Sequence, residues 1–231
     1  MKWTYLLLDI ATILGPLALS FESRVQYFSK WKAVFTASLI VAIPFLIWDY
    51  FFTLHGVWGF NSDYISGISV GNLPIEEVLF FIVVPFSCTF IYECCKYYLR
   101  NWNSRKLDVV MQITLLLYAN LLLFQNPIGL YTSINSTIGI LVIFFWMFRQ
   151  KNVQYVGITF LFSMIPFLLM NGVLTGAATK QPIVWYNNFE NSGLRIHTIP
   201  MEDMIYGMTL ILSVIFLYEG IQKKWNPSSK K

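Results

Sequence analysis

Pro74-Ile75-Glu76-Glu77 and Pro200-Met201-Glu202-Asp203 lie 126 residues apart, each at the head of an apolar run. Proline is favoured at the first position of a helix, where its missing N–H costs nothing, and first-turn acids sit at the positive end of the helix dipole. Either motif alone reads as an ordinary helix start. Two at a fixed offset read as an internal repeat. Val57-Trp58 and Gly67-Ile68 before the first motif are echoed by Val184-Trp185 and Gly193-Leu194 before the second, and Tyr92-Glu93 by Tyr218-Glu219. Farther upstream, Pro44 with Trp48-Asp49 is echoed by Pro166 with Met170-Asn171, at an offset of 122.

The composition says what solvent surrounds these motifs. Of the 231 residues, 56% are hydrophobic and 12% charged, with a mean hydropathy of +0.58. A soluble domain carries roughly 25% charged residues. Lipid is therefore the expected surrounding, and the basic residues, clustered between apolar runs, suit headgroups better than nucleic acid. Cys88, Cys94 and Cys95 have neither disulfide nor metal spacing and read as packing residues. The first apolar run contains Asp9 and Pro16 and has no cleavage site, so it reads as a first membrane helix.

Seven runs are long enough to be spanning candidates: about 3–21, 32–54, 74–96, 107–125, 134–149, 154–174 and 200–221. With seven spans, 13 of the 16 Lys and Arg residues fall on one side and three, Lys2, Lys180 and Arg195, on the other. The positive-inside rule then predicts a multi-pass protein of the cell membrane with the N-terminus outside and the C-terminus cytoplasmic. The fold class is all-α, a polytopic membrane bundle of two three-helix repeats, residues 1–100 and 131–231, joined by a linking helix in 101–130. Two three-helix units joined directly would be inverted. The extra helix makes them parallel, so both acidic motifs begin helices on the same, outer side.

Intramembrane acids are costly and mark function by default. The candidate carboxylates are Glu76, Glu77, Glu202 and Asp203, with Asp49 inside an apolar run and Asn171 as its repeat counterpart. Asp9 is a weaker case, since Lys2 is a nearby partner. Arg195 and His197 precede the second motif and are placed to hold or tune the acids. Glu93 and Glu219 read as surface pairs with Lys96 and Lys223. Trp48, Trp58, Trp185, Phe80 and Tyr206 are aromatics near the acids, able to stabilise a cation through their π faces. No dinucleotide or phosphate loop, paired Asp-rich motif or histidine set is present, so neither metal nor redox cofactor is expected.

Trp48-Asp49, Asn72-Leu73-Pro74-Ile75-Glu76-Glu77 with Phe80-Phe81, and Gly193-Leu194-Arg195-Ile196 leading to Ile199-Pro200-Met201-Glu202-Asp203 with Tyr206 together resemble the small non-flavin membrane lycopene cyclases. These occur as two three-helix subunits or fused through a linking helix, and the resemblance covers nearly the whole chain. It implies cofactor-free, acid-catalysed cyclisation of a linear carotene drawn from the lipid phase. It assigns the chemistry to Glu76, Glu77, Glu202 and Asp203, helped by Asp49, with Pro74 and Pro200 heading the two acidic helices. The second motif ends in Glu-Asp rather than Glu-Glu, which leaves the division of labour between the halves open. A carotenoid hydratase and a proton-coupled transporter are the alternatives on the residues alone. Oligomeric state is not legible.

Overall fold

The computed structural model describes residues 2–149 and 153–225. Seven α-helices account for most of it: α1 (Thr4–Leu19), α2 (Trp31–Leu54), α3 (Ile75–Tyr98), α4 (Arg105–Gln125), α5 (Leu130–Arg149), α6 (Val156–Leu174) and α7 (Glu202–Trp225). Each expected apolar run forms one of them. Six are long and apolar enough to cross a membrane, α2 counted with the 3-10 turn that precedes it. The protein is thus an all-α, multi-pass membrane bundle. α1 is the exception, with 16 residues. At 1.5 Å per residue this is about 24 Å, short of the ~30 Å hydrocarbon core.

Six short strands, all at the end of the bundle where α3 and α7 begin, were not anticipated. They are β1 (Trp58–Phe60), β2 (Ser69–Val70), β3 (Leu73–Pro74), β4 (Val184–Tyr186), β5 (Arg195–Ile196) and β6 (Ile199–Pro200). β2–β3 and β5–β6 are hairpins. β1 and β4 come from different copies and pair antiparallel, with Trp58 opposite Tyr186, Gly59 opposite Trp185 and Phe60 opposite Val184. The three strands of the first copy, β1, β2 and β3, recur in the second as β4, β5 and β6 at the offset of 126. The counterpart of Trp185 is therefore Gly59, not Trp58. The register shows why: a Cβ on Gly59 would fall 2.4 Å from the Trp185 ring, so one member of this central pair must lack a side chain.

Equivalent residues facing each other across Gly59 and Trp185 define a pseudo-twofold axis along the bundle. Its other end carries the same symmetry. Tyr92 donates to Glu219 at 3.0 Å, and Tyr218 donates to Glu93 at 3.0 Å. Lys96 bridges the two carboxylates, at 2.8 Å from Glu93 and 2.6 Å from Glu219, and Lys30 also pairs with Glu93. Glu93 and Glu219 are therefore buried, not surface pairs, because each reaches a tyrosine of the opposite copy. α3 and α7 lie along the axis. α1, α2 and α6 pack on α3, and α2 and α5 pack on α7. α4 lies outside, against α5 and α6.

Lys96→Met removes the cation that Glu93 and Glu219 share. A stability loss of about 2 kcal/mol is expected, below the full cost of orphaning a buried charge because Lys96 is partly exposed. A lowered thermal midpoint in detergent, with an unchanged helical spectrum, is the measurement.

Candidate active site

The two acidic motifs are set by hairpins rather than by proline at the first helical position. Pro74 is extended, at φ −66° and ψ 151°, and precedes α3. It closes β3 opposite Ser69, as Pro200 closes β6 opposite Arg195. Proline lacks the N–H needed to continue a ladder, so each strand ends there and a helix begins. The tight turns between the strands require a left-handed residue. Gly71, at φ 64°, supplies it in the first copy and His197, at φ 57°, in the second. His197 is thus an exposed turn residue, away from the acids. Arg195 is also turned away: it donates to the Thr198 carbonyl at 2.7 Å and Asn188 at 2.8 Å, and stacks on the Tyr186 ring.

The four motif carboxylates fall into two kinds. Glu76 Oε1 accepts the Ser66 N–H at 2.7 Å, and Glu202 Oε1 accepts the Ser192 N–H at 2.6 Å and the Thr132 hydroxyl at 2.7 Å. Both tie the approaching loop to the helix start, and neither faces the cavity described below. Glu77 and Asp203, one position on, do face it. Tyr5 of α1 donates to Glu77 at 2.6 Å, and Tyr131 of α5 donates to Asp203 at 2.5 Å. These two tyrosines also lie 126 residues apart and were missed. That offset was the signal that would have found them.

Beyond the tyrosines the symmetry breaks. Asp203 Oδ2 accepts Asn171 Nδ2 at 2.7 Å and the Tyr186 hydroxyl at 3.0 Å. With Tyr131, that makes three donors on one carboxylate. Burial and the adjacent Asp203 push the Tyr186 hydroxyl well above its ordinary range, so it remains a donor. In the first copy the position of Asn171 is held by Asp49. Asp49 is 1% exposed, accepts the Tyr206 hydroxyl at 2.8 Å, and lies beside Glu77 at the same end of the cavity described below. Two buried neighbouring carboxyls repel when both are ionised, which favours a proton on at least one of them. Asp49 Oδ2 meets no donor among the described residues.

Asp49, Glu77, Asp203 and Asn171 line one end of a cavity of about 140 Å³. Trp58, Phe80, Tyr131, Tyr186 and Tyr206 wall that end. The remaining walls are mostly apolar and follow α3 from Glu77 to Ile91, a rise of about 21 Å. α1, α6 and α7 supply the other sides. Across the axis, Trp48 stands where Met170 lines this cavity. Its ring packs 5.1 Å from Tyr206 and 5.8 Å from Phe45, which fills the matching space. Trp185 is 43% exposed and lies outside, over Gly59.

A family model for lycopene cyclases matches residues 2–95 and 129–221. The chain belongs to the lycopene cyclase family. The unmatched stretch between the two segments contains α4, the helix outside the repeat. A relative in Aspergillus oryzae, a bifunctional lycopene cyclase/phytoene synthase, is 26% identical over 125 residues. These are 53% of this chain but 20% of that protein, so the chain spans only a small part of its relative's length. No solved structure matches the chain.

His197→Val forces a β-branched residue into the left-handed region and is expected to lower stability by about 1 kcal/mol. His197→Gly should not destabilise, and both variants should keep the wild-type activity. Thermal midpoints measured beside turnover check this.

Proposed function

We propose that the chain cyclises the end groups of a linear carotene, lycopene, to β-rings by acid catalysis without a redox step or cofactor. One observation carries the reading. A pair of buried carboxyls, Glu77 and Asp49, faces a carboxylate with three donors, Asp203, across the end of an apolar cavity.

In this reading Glu77 is the acid. It protonates the terminal double bond, and the proton left on Asp49 holds the resulting carboxylate in place. The tertiary cation is attacked by the internal alkene, which closes a six-membered ring and moves the cation onto it. The three hydrogen bonds keep Asp203 anionic, where it stabilises the cation and removes the final proton. Such a carboxylate is a weak base, but a carbocation needs no stronger one. The π faces of Trp58, Phe80 and Tyr206 add to cation stabilisation. Dry walls keep water from capturing the cation as an alcohol. Glu76 and Glu202 act by fixing the loops, and Asn171 by orienting Asp203.

The isomerase or intramolecular lyase class follows from this chemistry. The substrate would enter from the lipid phase, with the acidic end of the bundle at the outer membrane face, the N-terminus outside and the C-terminus cytoplasmic.

Expression in lycopene-producing cells, with chromatography of the extracted pigments, tests the reading. The wild type should convert lycopene to cyclic carotenes. Glu77→Gln should lose at least ~100-fold in rate, the usual worth of a positioned acid, and Glu76→Gln much less. Unchanged lycopene, or a hydroxylated product, in the wild type would overturn it. Equal losses in the two variants would remove the distinction between the acids.

A further inference from the structure

α1 and α5 carry the same pattern one helical turn apart, Tyr5 with Asp9 and Tyr131 with Asn135. Side chains four residues apart share a helix face. On α5, Tyr131 donates to Asp203, and Asn135 Nδ2 donates to the backbone carbonyl of Glu202 at 2.7 Å. On α1, Tyr5 makes the matching bond to Glu77, which places Asp9 where Asn135 stands. Asp9 is 2% exposed and lies within electrostatic reach of Glu76 and Glu77. Among the described residues, no donor reaches either of its carboxyl oxygens.

An ionised carboxylate in that position would be desolvated, without a hydrogen bond and within reach of other acids. Each of these opposes the charge. A neutral carboxyl has an O–H to give, as the amide of Asn135 has an N–H. We infer that Asp9 is a protonated carboxyl that resupplies the proton Glu77 gives up. The inference rests on the reading of Glu77 as the acid.

The step balances. The Asp9 O–H bond breaks as the Glu77 O–H bond re-forms, and a solvent proton neutralises Asp9. The proton removed from the ring by Asp203 returns to solvent, so the cycle consumes none. Asp9 does not line the cavity and acts only through Glu77. It is a positioning residue. In the second copy an amide fills the equivalent position, so packing alone does not demand an acid at position 9.

Asp9→Asn is the discriminating variant, since it installs the residue that α5 carries. It is compared with wild type and Asp9→Glu in the full chain, by infrared spectroscopy without substrate and by turnover of lycopene. The expected result is loss of one protonated-carboxyl C=O band at neutral pH and a fall in kcat of about tenfold or more with KM unchanged. Asp9→Glu should recover much of the rate. A wild-type kcat in Asp9→Asn, or an unaltered set of carboxyl bands, would overturn the inference. A wild type that leaves lycopene unchanged would defeat the cyclase reading instead, and the infrared comparison would still decide whether Asp9 holds a proton.

Discussion

The meeting of two buried carboxyls, Glu77 and Asp49, is the constraint on which the site turns, and it exists because of how the bundle is put together. α3 and α7 start at the same end only because α4 restores parity between the two three-helix copies. Each hairpin then stops at a proline and delivers two acids into the first turn of its helix. One acid ties down the loop and the other faces the axis. The pairing of β1 with β4 holds the copies together at this end, and the Glu93, Glu219, Lys96 and tyrosine network does so at the other.

Pseudo-symmetry sets up two equivalent half-sites, and a few substitutions make them unequal. Asp49 faces Glu77 where Asn171 faces Asp203. Asp9 stands where Asn135 stands. Tyr206 carries a hydroxyl where Phe80 carries none, and Trp48 fills the space that Met170 leaves open. An amide brings its own hydrogen to a carboxylate, whereas a carboxyl must carry a proton to do so. In the proposed mechanism the first copy holds protons and the second a negative charge. Acid-catalysed cyclisation needs both, one to start the cation and the other to accompany and end it.

The seven helices, the parallel repeat and the two acidic motifs were legible because apolar runs, charge bias and a fixed offset survive in a linear reading. The choice between Glu76 and Glu77 was not. First-turn neighbours point about 100° apart, and which one meets the cavity depends on the angle at which the hairpin releases the helix. The turn role of His197 was hidden for a related reason, since its positive φ is visible only once the strands flank it. Glu93 and Glu219 looked superficial because their partners, Tyr218 and Tyr92, lie a whole repeat away. Tyr5 and Tyr131 were recoverable from the offset. Single tyrosines in a chain with 13 of them give no signal alone.

In the proposed mechanism one group, Glu77, delivers a proton and another, Asp203, removes one. Turnover of lycopene by the purified protein in heavy water tests that separation most directly. Delivery by solvent-exchanged Glu77 and removal by Asp203 predict one deuterium per ring, at the carbon that receives the proton and in a single configuration. A product without deuterium would mean that one carboxyl delivers its proton and is reloaded, without exchange with solvent, by the different proton lost from the ring, and would contradict the division between the two copies.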